Sequence, residues 1–107
     1  MRTITTTEDL AAFCQRAKGQ PYVTLDTEFL RERTYWSRLC LIQAALRGAG
    51  EAVLIDPIEG EGMSLDPLYD LFRHEGTVKV FHAARQDLEI FFVEGGVFPK
   101  PLFDTQI

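Results

Sequence analysis

Asp26 and Glu28 are the residues of this chain whose type and spacing could do chemistry. They lie in Tyr22-Val23-Thr24-Leu25-Asp26-Thr27-Glu28-Phe29, a stretch with the composition of a β-strand. Successive side chains of a strand point to opposite faces, so Val23 and Leu25 share one face while Asp26 and Glu28 share the other. Two carboxylates on one face repel, and crowding or burying them is unfavourable unless a cation neutralises them. Carboxylate oxygens are the ligands that hard divalent ions take, so the pair predicts a site for Mg²⁺ or Mn²⁺. The competing account is a plain solvated Asp-X-Glu, and what separates the two is whether the chain brings a further acid to the same place.

Asp87 is the acid that qualifies. The segment His82-Ala83-Ala84-Arg85-Gln86-Asp87-Leu88-Glu89 predicts a helix from about residue 83 to 93, with Ala84, Leu88 and Phe91 as its apolar stripe. Asp87 lies three residues after Ala84 and four before Phe91, on the border of that stripe rather than opposite it. If the preceding strand, Val78-Lys79-Val80-Phe81, runs beside and parallel to the Asp26 strand, Asp87 approaches the acid pair, and Ala83 and Ala84 are small enough to let the helix come close. A solvated or capping acid is the alternative. His82, at the strand-to-helix junction, is expected to make a structural hydrogen bond, and His74 to end a helix where positive charge is welcome. Gly60-Glu61-Gly62 lacks the lysine of a phosphate loop, and no serine or cysteine has the His–acid context of a nucleophile.

The elements that must position these residues follow from pattern. Thr5 to Thr7 supply capping hydroxyls ahead of Glu8 and Asp9, and Leu10, Phe13, Cys14 and Ala17 recur with helical period, with Gly19 expected as C-cap before Pro21. The polar and aromatic stretch from Arg31 to Ser37 predicts a loop. Leu39 to Leu46 is apolar on both faces, as in a strand covered on both sides. Gly48-Ala49-Gly50 predicts a turn into a third strand, Ala52 to Asp56, stopped by Pro57. A second helix starts at Asp66-Pro67, buries Leu65, Leu68, Leu71 and Phe72, and is expected to end at Gly76. Leu102-Phe103 predicts a short last strand. Short links make the first three strands antiparallel neighbours, and helical crossovers make the later ones parallel. The expected architecture is α/β, a mixed sheet of about five strands flanked by helices.

Bulk properties set the frame. The 107 residues make one domain or part of one; 46% are apolar and 25% charged, ordinary for a globular chain. There is no apolar run of membrane-spanning length, and Met1 to Thr7 lacks the apolar core of a signal peptide, so no membrane partner and a cytoplasmic setting are expected. Cys14 and Cys40 sit inside apolar patterns without metal-type spacing, as buried free thiols do. A net charge of −5 provides no basic surface for phosphates. If the chain acts on nucleic acid, metal ions supply the positive charge at the site, or basic surface lies outside these residues.

Asp26-Thr27-Glu28-Phe29, Leu41-Ile42-Gln43, Leu54-Ile55-Asp56-Pro57, His82-Ala83-Ala84-Arg85-Gln86-Asp87-Leu88 and Phe103-Asp104-Thr105-Gln106 together resemble the ribonuclease D group of 3′–5′ exonucleases, DEDD-superfamily enzymes of ribonuclease H-like fold. The resemblance runs from about residue 20 to 107, with the motifs in the family's order. It implies that Asp26 and Glu28 form the first exonuclease motif and that Asp87 is the central acid of the second, all three catalytic and metal-holding. It further implies hydrolysis with two ions roughly 3.5–4 Å apart. Asp26 would bridge them, Glu28 would hold the one that activates water, and Asp87 would hold the other. The implied substrate is the single-stranded 3′ end of an RNA such as a tRNA precursor, or of DNA, and the implied substrate-binding residues are Thr27, Phe29 and Leu30. Phe29 and Leu30 would pack on the terminal base, with core packing the alternative for Phe29. Arg31, Arg33, Tyr35, Trp36 and Arg85 could touch substrate or be solvated surface.

The family's third motif, a tyrosine and an aspartate four apart on a later helix, has no match after Asp87. Tyr69 lies upstream on another helix, and Asp104 falls on the short last strand. Asp104-Thr105-Gln106-Ile107 has the look of a helix start. Residues 1–107 are therefore expected to be the N-terminal part of a single exonuclease domain, with the C-terminal helices missing, inactive alone and open to self-association through bared apolar surface. A non-catalytic nucleic-acid-binding module of the same fold is the other expectation.

Overall fold

The alternation of Val23 and Leu25 with polar neighbours builds the central strand of a six-stranded sheet. The structure is a computed structural model describing residues 2–31, 37–57, 62–81, 96 and 99–104, with backbone alone at 28–31, 37–40 and 104. Its elements are β1 (Arg2–Ile4), α1 (Thr7–Ala17), β2 (Tyr22–Arg31), β3 (Ser37–Leu46), β4 (Glu51–Ile55), α2 (Asp66–Arg73), β5 (Val78–Phe81) and β6 (Leu102–Asp104). The strands lie in the order β1-β4-β3-β2-β5-β6. The first hairpins are antiparallel as expected, β3 pairing with β2 and β4. Strand β5 runs parallel to β2, and β6 parallel to β5.

The expected five strands are six. Arg2–Ile4 pairs in parallel with β4, and Ile4 is fully buried. Three residues carry too little alternation to register as a strand; a partner far along the chain makes them one. The expectation that β3 is covered on both sides is also corrected: Ile42, Ala44 and Leu46 are buried, whereas Gln43 is exposed.

One apolar cluster joins the helices to one face of the sheet. Leu10, Phe13 and Ala17 of α1 and Leu68, Leu71 and Phe72 of α2 meet Val23, Leu25, Ile42, Ala44, Val53, Ile55 and Phe81. Full burial of such a side chain contributes roughly 1.5–3 kcal/mol, against about 0–1 for an exposed ion pair. The core therefore outweighs the Arg16–Glu51 bridge that ties α1 to β4, although that bridge is two-pronged at 2.9 and 2.6 Å.

The helix ends show where local signals and tertiary structure part. Thr6 caps α1, its hydroxyl accepting from the Asp9 N–H at 3.2 Å, as the threonine run predicts. At the other end the cap is Lys18, in the right-handed region, and not Gly19. The carbonyls there are served from across the fold: the buried Thr77 hydroxyl lies 3.2 Å from the Ala17 oxygen and 3.0 Å from that of Gln20. Helix α2 ends at Arg73 with His74 as cap, short of Gly76. Between β3 and β4 the expected turn is a single 3₁₀ turn closed by Gly50, whose φ of 66° suits glycine. The helix predicted from 83 to 93, the middle of the loop after Arg31 and the Gly60 loop lie outside the described residues.

Lys79 is fully buried on β5. Its ammonium donates to the carbonyl oxygen of His74 and, at 2.8 Å, to that of Lys100, joining the turn before β5 to the entry of β6. Burial pushes its pKa down to about 8, with the Glu75 charge acting in the other direction.

Candidate metal and substrate site

Asp26 sits in the middle of β2, and because Val23 and Leu25 face the helices, Asp26 faces away from them. It is exposed, and its register partner on β3 is Gln43. With Thr24, Gln43, Ala45, Arg47 and Val80 it lines a cleft of about 360 Å³. No hydrogen bond or ion pair engages the Asp26 carboxylate among the described residues. An uncommitted carboxylate at the edge of a cleft is a hard oxygen donor, so Asp26 fits the part of one metal ligand.

The condition set for Asp87 is met as far as the strands go. β5 runs parallel beside β2, with Phe81 level with Leu25. The chain therefore leaves β5 one strand away from Asp26, about 4.8 Å across the sheet. Asp87 itself lies outside the described residues, as do the side chains of Glu28, Phe29 and Leu30. Among the described residues no group of three His, Cys, Asp or Glu side chains could hold a metal. Of the acids read from the sequence, the structure thus places Asp26.

Thr27 takes the other face of β2. It pairs with Ile42, which is buried in the helix-facing core, and its Oγ1 is buried with no hydrogen-bond partner among the described residues. Strand alternation puts consecutive residues on opposite faces, so the Thr27 hydroxyl is turned away from the face that Asp26 occupies.

Just beyond the acid pair the ladder slips. Glu28 pairs with Leu41 and Phe29 with Leu39, leaving Cys40 as the extra residue of a bulge on β3. Bulges bend a strand and increase its twist, and they gather where side chains must be re-aimed. Nothing in the local sequence announces this one. Gln43 and Arg47 also escaped sequence reasoning as cleft residues: Gln43 sits inside an apolar run, and only the β2–β3 register shows that it stands opposite Asp26.

Comparison with known proteins adds to this geometry. The model of a 3′–5′ exonuclease family matches residues 1–107. The chain is 69% identical over 107 residues to the ribonuclease D of a Jannaschia species, covering 98% of this chain and 28% of that protein. It is 50% identical to the ribonuclease D of Nitrobacter hamburgensis, over 100% of this chain and 27% of that one. It also superposes on the crystal structure of Escherichia coli ribonuclease D, an exoribonuclease involved in structured RNA processing. That match has a TM-score of 0.85 and 40% identity, and covers 98% of this chain and 27% of the other. This likeness bears out the expected ribonuclease H-like fold. The chain spans roughly a quarter of the length of these relatives.

Proposed function

Because the chain belongs to the 3′–5′ exonuclease family, we propose that it is the N-terminal part of a ribonuclease D-type exonuclease domain that removes nucleotides from the single-stranded 3′ end of RNA. The observation that carries this is Asp26: an exposed, uncommitted carboxylate in a cleft, on the sheet face turned from the core, with β5 parallel beside its strand. The relatives' names, ribonuclease D and exoribonuclease, support RNA as the substrate.

In this reading Asp26, Glu28 and Asp87 are the acids that would hold Mg²⁺ or Mn²⁺, two ions in the complete domain. When bound, such ions would supply an activated water and neutralise the charge that develops on the phosphate and the leaving 3′ oxygen. The chain's own part is to fix the donors. Strand β2 is pinned on both sides, by β3 and β5, so Asp26 is held by a rigid element rather than a loop. Phe29 and Leu30 are the residues that would pack against the terminal base. The 107 residues hydrolyse RNA at close to background rate by themselves, since the tyrosine and fourth acid of the family's third motif are not among them.

A chimera tests this reading. The matching segment of the Jannaschia ribonuclease D is replaced by this chain, and the product is given 3′-labelled single-stranded RNA with Mg²⁺. The label is expected to appear as mononucleotide only, and Asp26→Ala is expected to cut the rate by about 10²–10³-fold, the scale of losing a principal electrostatic group. Labelled oligonucleotides from internal cuts would sink the exonuclease assignment. Full turnover by the 107-residue chain alone would refute the claim that it is incomplete.

A further inference from the structure

We infer that Gln43 is a positioning residue of this site, its carboxamide orienting the Asp26 carboxylate and the water around an ion bound there. The inference rests on the assignment of Asp26 as a metal ligand and goes beyond it.

Register is the first ground. Gln43 stands directly opposite Asp26 in the antiparallel β2–β3 ladder. Such cross-strand partners share a face with Cβ atoms about 4.5–5.5 Å apart. The amide of a glutamine lies two carbon–carbon bonds beyond Cβ, long enough to reach the hydration layer of an ion on a neighbouring carboxylate. Both residues are exposed and line one cleft.

Elimination is the second. On its other side Gln43 pairs with Leu54, which offers no side-chain polar group. Thr24 shares the cleft, but its hydroxyl is turned to the Ala45 carbonyl oxygen at 3.4 Å. Arg47 is four positions further along the chain, beyond the end of β3, or about 13 Å at the rise of a strand. Gln43 is the polar side chain next to Asp26 in the cleft that has no hydrogen-bond partner among the described residues.

Chemistry is the third. A carboxamide has an NH₂ donor for a carboxylate oxygen that the metal leaves free, and a carbonyl acceptor for a metal-bound water. Being neutral, it does this without competing with the cation, as a lysine or arginine at the same position would. Partners of this kind are commonly worth 10–100-fold in metal affinity.

Calorimetric titration of the 107-residue chain with Mn²⁺ alone decides the matter, using wild type, Gln43→Leu, Gln43→Glu and Asp26→Ala, each checked for wild-type circular dichroism. Gln43→Leu should weaken Mn²⁺ binding by about 10–100-fold. Gln43→Glu has the same shape but places a second charge beside Asp26, and should tighten binding several-fold. A purely structural role could not move the two variants in opposite directions. If both bind Mn²⁺ within twofold of wild type while Asp26→Ala loses binding, the Gln43 inference is wrong and the metal assignment stands. If Asp26→Ala binds like wild type, or wild type binds no Mn²⁺, the metal assignment falls and takes the Gln43 role with it.

Discussion

Asp26 and Thr27 are adjacent in sequence and opposite in environment. The Asp26 carboxylate opens onto the cleft, while the Thr27 hydroxyl is buried on the helix-facing side without a partner among the described residues. Leaving such a group buried and unpaired costs about 1–3 kcal/mol. Thr27→Val keeps the shape and removes the polar atom, so it should raise the unfolding free energy by about 1 kcal/mol. Urea melts should show a higher midpoint with an unchanged slope, and a lower midpoint would mean that the hydroxyl is satisfied in solution. At this scale the candidate site was half legible. Asp26 could be read from its type and from alternation, both local properties. Gln43 could not, because its meaning comes from a residue on another strand.

Elements are secured by groups that local patterns do not reveal. Gly19 has the composition of a helix stop, yet Thr77, sixty residues from Ala17, serves the end of α1. Lys79 resembles a surface lysine in an apolar strand, yet it is fully buried and bonded to carbonyls on both neighbouring connections. Its pKa falls from 10.5 in the unfolded chain to about 8 in the fold, chiefly through burial. Between those values the unfolded state binds the extra proton, so this residue's contribution to stability rises with pH. The cost of the buried charge is fully present below about pH 8 and is relieved as pH climbs toward 10.5. Cys14 acts oppositely: burial pushes its thiol from 9.0 to about 12, so its contribution falls as pH rises through that window. The contribution of Lys79 is isolated by subtracting the pH profile of Lys79→Met from that of wild type. The difference should grow in favour of wild type by on the order of 2 kcal/mol between pH 7 and pH 10. A flat difference in denaturant melts would show that the ammonium is not desolvated.

In the whole molecule the division of labour runs across the sheet. One face carries the α1 and α2 core, and the opposite face carries Asp26, Gln43 and the cleft. An ion that binds the folded chain and not the unfolded one stabilises it by mass action, about 2.7 kcal/mol at a hundredfold excess over Kd. Saturating Mn²⁺ should therefore raise the melting temperature of wild type by several degrees and leave that of Asp26→Ala unmoved; equal shifts in both would place the ion elsewhere. The sequence by itself determined the α/β class, the antiparallel hairpins, the parallel β5 and the acid pair, because each rests on side-chain period, turn chemistry or the length of a connection. Tertiary structure alone decided the pairing of Arg2–Ile4 with β4, the slip at Cys40, the burial of Lys79 and the place of Gln43 opposite Asp26. Those four depend on register and on contacts between residues far apart in the chain, and register is a property of two strands together that neither contains alone.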